Sequence, residues 1–201
     1  MLDQIIHAPV TVYPAEREHI EKFVMGTKFP WFWQNQQTFN EDEFFNEHVP
    51  VWLRPLLEHY NGPFLSHTLL RRATDEHDRH LDRSAGDFSV HYEFFIELFH
   101  RFTVEHGIKY TKIFRANLNL NWYNGEHHTE PHFDHEWPHH NFIMYLNSCE
   151  QGQTIIWPND FSASYMIPCE KYTAIAFKQQ WHAHRYPPRG ERRIVFVVTY
   201  I

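Results

Sequence analysis

The sequence predicts an α+β fold that is mainly β, a sandwich or barrel of short strands with supporting helices toward the N-terminus. Three observations predict it. From residue 111 onward, apolar and polar residues alternate with the period of two that a half-buried strand requires, in short runs separated by turn residues. Before residue 111 the long apolar pattern has the spacing of a helix and is closed by glycine. The length, 201 residues, suits one domain whose core needs neither disulfides nor a partner. The expected division is therefore a single domain over 1–201, with 1–110 as mostly helical support and 111–201 as the β core.

Taken in order, "VTVY" (10–13) alternates like a short strand, and "PAEREHIEKFVMG" has Pro14 at a helix start, acids in its opening turn and Gly26 at its end. The aromatic run "TKFPWFWQNQQTF" suits a strand, and its aromatics suit a core. "PVWLRPLLEHY" reads as a helix closed by Asn61-Gly62, and the polar stretch 73–87 as a surface loop. The longest helical pattern is "SVHYEFFIELFHRFTVEHG", where Phe94, Leu98 and Phe102 are spaced by four and Gly107 ends the run. In "TKIFRANLNLNWY", Ile113, Arg115, Asn117, Asn119 and Asn121 share one face, with Phe114, Ala116, Leu118, Leu120 and Trp122 on the other. Strand-like runs follow at "NFIMYLN", "QTIIW", "SASYMIP", "YTAIAF" and "RRIVFVVTYI". Many short strands at close spacing indicate a sandwich or barrel.

Composition narrows the partners. The net charge is −7 and the densest basic cluster, 189–193, holds three arginines, so no nucleic-acid footprint is indicated. Two cysteines, Cys149 and Cys169, make neither a disulfide framework nor a paired zinc motif, and point to a reducing, cytoplasmic setting. No apolar run approaches the roughly 18 residues of a membrane span, and the N-terminus lacks the pattern of a signal peptide. The partner expected is a small-molecule or peptide substrate.

The chemistry concentrates in "EPHFDHEWPHH" (130–140). His132 and Asp134 are two residues apart, which in an extended segment turns both side chains to one face. A third ligand is available from "WHAHRYPPRGERR", either His182 or His184, which again share a face. Two histidines and one carboxylate form the facial set of non-haem Fe(II) oxygenases, which leaves adjacent coordination positions open. Arg192 and Arg193 follow at the start of the last strand, where a guanidinium can grip a carboxylate with two parallel hydrogen bonds.

These pieces stand in a recognisable order: "NLNWYNG", then "HFD", "YLN" at 145–147, "GQT" at 152–154, "AIAF", the distal histidine, and an arginine opening "IVFVVTY". In this the sequence resembles the 2-oxoglutarate and Fe(II)-dependent dioxygenases, particularly the prolyl-4-hydroxylase-like and phage-type members, over about 110–201. The resemblance implies a double-stranded β-helix, the jelly-roll or cupin-like barrel, with Fe(2+), 2-oxoglutarate and O2 as metal and cosubstrates. It implies His132, Asp134 and His182 as iron ligands, with His184 as the alternative third, and Arg193 as the clamp on the far carboxylate. Tyr145 and Tyr123 match hydroxyl partners of the cosubstrate, and Asn117 can point into the barrel. Arg192 and Arg193 face opposite sides, so one alone is the clamp; Arg193 is chosen because "RIVFVVTY" then matches without a gap. The reaction implied is hydroxylation of an unactivated C–H bond, with a peptidyl or free amino acid as the substrate.

Most of the eighteen histidines need no such role. His127, His128, His135, His139 and His140 are expected on a polar rim, and "HTE" at 128–130 is a weaker alternative to "HFD". Two rivals to the oxygenase remain in view: a cupin-like metalloprotein without 2-oxoglutarate, and a non-enzymatic binding module on the same barrel. A hydrolytic zinc site lacks a glutamate placed as general base.

Overall fold

The computed structural model describes residues 5–34, 62–71, 87–125 and 127–201. The expected helix at 50–60 lies outside these residues, as does the expected loop at 73–87 except for its last residue. The strands are β1 (Ile6–Pro9), β2 (Phe32–Gln34), β3 (Phe64–Leu70), β4 (Ile113–Trp122), β5 (His140–Tyr145), β6 (Thr154–Trp157), β7 (Tyr165–Ile167), β8 (Thr173–Lys178), β9 (Trp181–His184) and β10 (Arg192–Tyr200). Helix α1 (Pro14–His19) runs into a π-helical turn (Ile20–Val24), and α2 spans Tyr92–Glu105. Among the described residues, no helix is long and apolar enough to cross a membrane.

Seven strands form one antiparallel sheet in the order β1-β8-β5-β10-β4-β3-β2, and three form a second in the order β7-β6-β9. The part before residue 111, expected to supply helical support, also supplies three strands to the large sheet.

Alternation along the strands sorts side chains into layers. On β10, Ile194, Phe196, Val198 and Tyr200 join the cluster that packs under the helices. Val195 and Val197 face the other way, into a cluster with Ile143 and Tyr145 of β5, Ile175 and Phe177 of β8, and Ile156 of the small sheet. That second cluster lies between the two sheets. On β6 and β9, Ile155, Trp157, Trp181 and Ala183 form a third cluster. The alternate residues of β9, His182 and His184, therefore turn toward the interior between the sheets.

Helix α2 covers the large sheet with Phe95, Leu98, Phe99 and Phe102, all fully buried. Phe95 meets Phe196 with ring centroids 5.3 Å apart, and Phe99 and Phe102 each meet Phe142 at 5.2 Å. Each such side chain contributes roughly 1.5–3 kcal/mol by leaving water. The expected stripe led from Phe94, which is only partly buried; Phe95 takes the deeper place. Gly107, at φ 65°, ends the helix in the left-handed conformation that glycine adopts without strain.

Two local expectations are corrected. "VTVY" is not a strand: Val10 and Val12 are buried in alternation, but ladder pairing stops at Pro9, whose partner Thr173 is the first residue of β8. On β4 the predicted alternation holds from Arg115 to Trp122 and breaks below it. The register passes from Thr199↔Arg115 to Tyr200↔Ile113, so Phe114 is the extra residue of a bulge. Ile113 then joins the helix-side core, while Phe114 packs against the rings of His135 and Trp137. The aromatic run at β2 also divides: Phe29 is core, while Phe32 and Trp33 are exposed.

Candidate metal centre

A two-bond bridge joins the two segments that carry the histidines. His132 N–H donates to the His182 carbonyl at 3.0 Å, and His182 N–H to the His132 carbonyl at 3.1 Å. Residues directly opposed in an antiparallel pair project to the same face. The two imidazoles accordingly lie with centroids 4.5 Å apart. Phe133, between His132 and Asp134, turns the other way and packs on Trp181 at 4.3 Å.

Asp134 completes the group. One donor atom from each of His132, Asp134 and His182 lies within 4.8 Å of the others, and this is the sole cluster of metal-ligating type among the described residues. Asp134 Oδ2 is 3.4 Å from His182 Nε2, and Oδ1 accepts from Arg115 Nη1 at 2.9 Å. Arg115 thus fixes the carboxylate rotation and leaves Oδ2 on the histidine side.

Protonation states suit a divalent cation. The Nδ1 atoms of His132 and His182 face the carbonyls of Glu130, at 2.9 Å, and Gln180, at 3.1 Å. A carbonyl accepts only from N–H, so each Nδ1 carries a hydrogen and Nε2 is the ring atom that faces the cluster. Burial, then the charge of His182, lowers the His132 pKa to about 3, so its imidazole is neutral. Burial alone would raise the Asp134 pKa; the hydrogen bond and charge of His182, with Arg115, outweigh it and hold the group well below its ordinary value. A divalent cation takes imidazole lone pairs and a carboxylate, and any proton shared at such a site leaves as the metal binds.

Deeper between the sheets sits Arg193, only 3% exposed. Its Nε donates to the Gly152 carbonyl at 2.8 Å and its Nη2 to Thr154 Oγ1 at 3.0 Å. The Tyr145 hydroxyl donates to the same Thr154 oxygen at 2.6 Å, and the guanidinium lies 5.5 Å from the Tyr145 ring centroid. Burial raises the Tyr145 pKa to about 12, which keeps it a donor. No acid forms an ion pair with Arg193 among the described residues. A buried guanidinium held only by neutral oxygens is costly unless an anion joins it.

The remaining sequence candidates divide. His184 is not in the metal group; it pairs in register with Thr154, and its Nε2 is buried with no hydrogen-bond partner among the described residues. Burial first, then the charge of Arg193, lowers its pKa well below the ordinary value. Arg192 is exposed. Asn117 does face the interior, donating to Ser66 Oγ at 3.3 Å, but it opposes Val197, whereas Asn121 opposes Arg193. Tyr123 lies beyond the end of β4 with Arg189 over its ring at 5.1 Å, and no contact among the described residues joins it to Tyr145 or Arg193. His135 and His139, expected on a polar rim, are buried; His135 shares a hydrogen bond with Thr199 Oγ1 at 2.7 Å and stacks on Trp137. Sequence reasoning missed Arg115 and Thr154 as site residues. Arg115 was visible on the polar face of β4, and Thr154 stands in the quoted "GQT".

No known family pattern and no curated protein matches the sequence. The fold, by contrast, is similar to that of solved structures. An oxidoreductase of the 2OG-Fe(II) oxygenase family from Burkholderia pseudomallei superposes with a TM-score of 0.66 at 12% identity, over 98% of this chain and 84% of that one. The non-heme alpha ketoglutarate dependent epimerase SnoN from nogalamycin biosynthesis gives 0.58 at 10% identity, over 98% and 77%. A prolyl hydroxylase from Trichoplax adhaerens, in complex with a hypoxia inducible factor peptide fragment, gives 0.55 at 13% identity, over 98% and 83%. At these identities the likeness establishes the fold, a double-stranded β-helix with helices on its large sheet.

Proposed function

We propose that this chain is an Fe(II)- and 2-oxoglutarate-dependent dioxygenase that hydroxylates an unactivated C–H bond, with a peptidyl or free amino acid as substrate. One observation carries the reading: the His132, Asp134 and His182 cluster and the buried guanidinium of Arg193, which no acid pairs among the described residues, lie in the same interior, between the same two sheets. A metal cluster alone fits many proteins. A dicarboxylate with one end for the metal and one for the guanidinium satisfies both groups at once.

His132, Asp134 and His182 are the ligands of the iron, and two backbone carbonyls together with Arg115 hold them in orientation. Three protein ligands leave adjacent positions for other oxygen donors. Arg193 takes the far carboxylate of 2-oxoglutarate, with Tyr145 and Thr154 as hydroxyl partners. His184, beside Thr154 on the adjoining strand, offers its Nε2 to the same cosubstrate. The metal and 2-oxoglutarate supply, with dioxygen, the oxidative decarboxylation that yields succinate and carbon dioxide and leaves a hydroxyl on the substrate. The chain's own part is to bind, orient and keep water out. The peptide held by the prolyl hydroxylase of the same fold supports the choice of substrate class.

The test is succinate release against 2-oxoglutarate concentration with Fe(II) present. Arg193→Lys keeps the charge and loses the planar fork, whose charge-assisted bonds are worth roughly 1.5–3 kcal/mol each. The 2-oxoglutarate requirement should rise about tenfold or more, with metal binding unchanged and Arg192→Lys near wild type. An unaltered requirement in Arg193→Lys would transfer the site to a metalloprotein that does not use 2-oxoglutarate.

A further inference from the structure

The chain's two cysteines, twenty residues apart in sequence, meet beside the clamp. Cys149 N–H donates to the Cys169 carbonyl at 3.2 Å. That bond sets the two residues side by side, which a disulfide requires. Cys149 packs against the cluster that contains Cys169, and both line an open pocket of about 700 Å³ with Glu191 and Asn147. Small oxidants in water can reach that pocket.

The same turn holds Arg193. Cys149 Sγ donates to the Gln151 carbonyl at 2.6 Å, and the next residue's carbonyl, that of Gly152, accepts from Arg193 Nε at 2.8 Å. Gly152 has φ 97°, and a Cβ added there would meet Cys149 Sγ at 2.6 Å and Arg193 Cδ at 3.3 Å. The sulfur and the arginine thus occupy the space that a side chain at 152 would need.

We propose that Cys149 and Cys169 form a reversible thiol–disulfide site through which oxidation weakens the grip of Arg193 on its dicarboxylate. The effect on the dicarboxylate rests on the function proposed above; the disulfide itself does not. The oxidant class is a hydroperoxide. The sulfur of one cysteine, as thiolate, attacks a peroxide oxygen; the O–O bond breaks, and the leaving oxygen takes a proton and departs as water or alcohol. The other sulfur displaces hydroxide from the resulting sulfenic acid, its own proton leaving with that hydroxide as water. Two electrons pass from the sulfur pair to the peroxide, and a dithiol reductant returns them.

Each thiol has a backbone acceptor of its own, Gln151 for Cys149 and, at 3.4 Å, Asn147 for Cys169. Once the disulfide forms, Cys149 can no longer donate to Gln151, its sulfur swings toward Cys169, and the turn that presents the Gly152 carbonyl to Arg193 shifts.

The experiment exposes the full chain to hydrogen peroxide, with and without later dithiothreitol, and reads intact mass, free thiols and the peptide linkage. Binding of 2-oxoglutarate to the Mn(II)-loaded protein is titrated calorimetrically in each state. The expected result is loss of two hydrogens within one chain, a 149–169 linkage, and 2-oxoglutarate affinity about tenfold weaker that dithiothreitol restores. Cys169→Ser should lose that response to peroxide. Sulfinic acid, linkage between chains or two surviving thiols would overturn the site, and a disulfide with unchanged affinity would overturn its coupling to Arg193. If reduced protein binds no 2-oxoglutarate, the coupling fails together with the cosubstrate reading, while the mass result still decides the disulfide.

Discussion

Asp134 is gripped from two directions, by Arg115 at 2.9 Å on one oxygen and by His182 at 3.4 Å on the other. A carboxylate so fixed is presented for coordination without losing rotamer entropy when metal arrives. The two distal histidines illustrate what a sequence can and cannot carry. Both point inward, because residues two apart on a strand share a face, and that much was legible in "WHAH". Which one meets His132 depends on the bridge between two segments fifty residues apart, and no local pattern encodes that register. Metal titration separates them. His182→Ala should weaken Mn(II) binding by at least about 100-fold, beyond the effect of losing an outer partner. His184→Ala should leave metal affinity near wild type and weaken 2-oxoglutarate instead. The reverse pattern would move the third ligand to His184.

At the scale of elements, β10 carries most of the design: its even-numbered side chains from Ile194 to Tyr200 seat the helices, and the odd-numbered ones face the interior with Arg193 at their head. The opposed faces of Arg192 and Arg193 were readable, but which side meets the helices was not, because 194–198 is apolar on both faces. The bulge at Phe114 was not, since an extra residue in one strand shows only against its partner. The two helices are also joined to each other by an ion pair. Glu16 of α1 accepts from Arg101 of α2 at 2.8 and 2.9 Å, and from its own helix start at Tyr13 N–H at 2.7 Å. The Arg101 hydrogen bond, opposed by burial and aided by Tyr13, lowers the Glu16 pKa from 4.5. A depressed carboxylate contributes stability that is complete above its unfolded value and lost as pH falls through the folded one. Water screens part of it, leaving about 1 kcal/mol. Glu16→Gln should therefore lower the melting midpoint by roughly 2–4 °C near neutral pH. The gap from wild type should close as pH falls below 4.5, measured by thermal unfolding across pH.

For the whole molecule, the strand runs and their turns made a mainly β barrel legible, because period-two patterning survives without tertiary information. The pairing order β1-β8-β5-β10-β4-β3-β2 was not, since it joins segments distant in the chain. The site is a product of that order. It brings Arg115 of β4 to Asp134, Thr154 of β6 to Arg193 of β10, and the 130–134 segment to β9. The proposed function requires one interior to hold a metal at one end and a dicarboxylate's far carboxyl at the other. A crystal structure of the full chain grown without oxygen, with Mn(II) and 2-oxoglutarate, tests it most directly. The metal should lie on His132 Nε2, Asp134 Oδ2 and His182 Nε2, with the far carboxylate on Arg193. A metal ligated by His184 in place of His182, or 2-oxoglutarate bound away from Arg193, would contradict it.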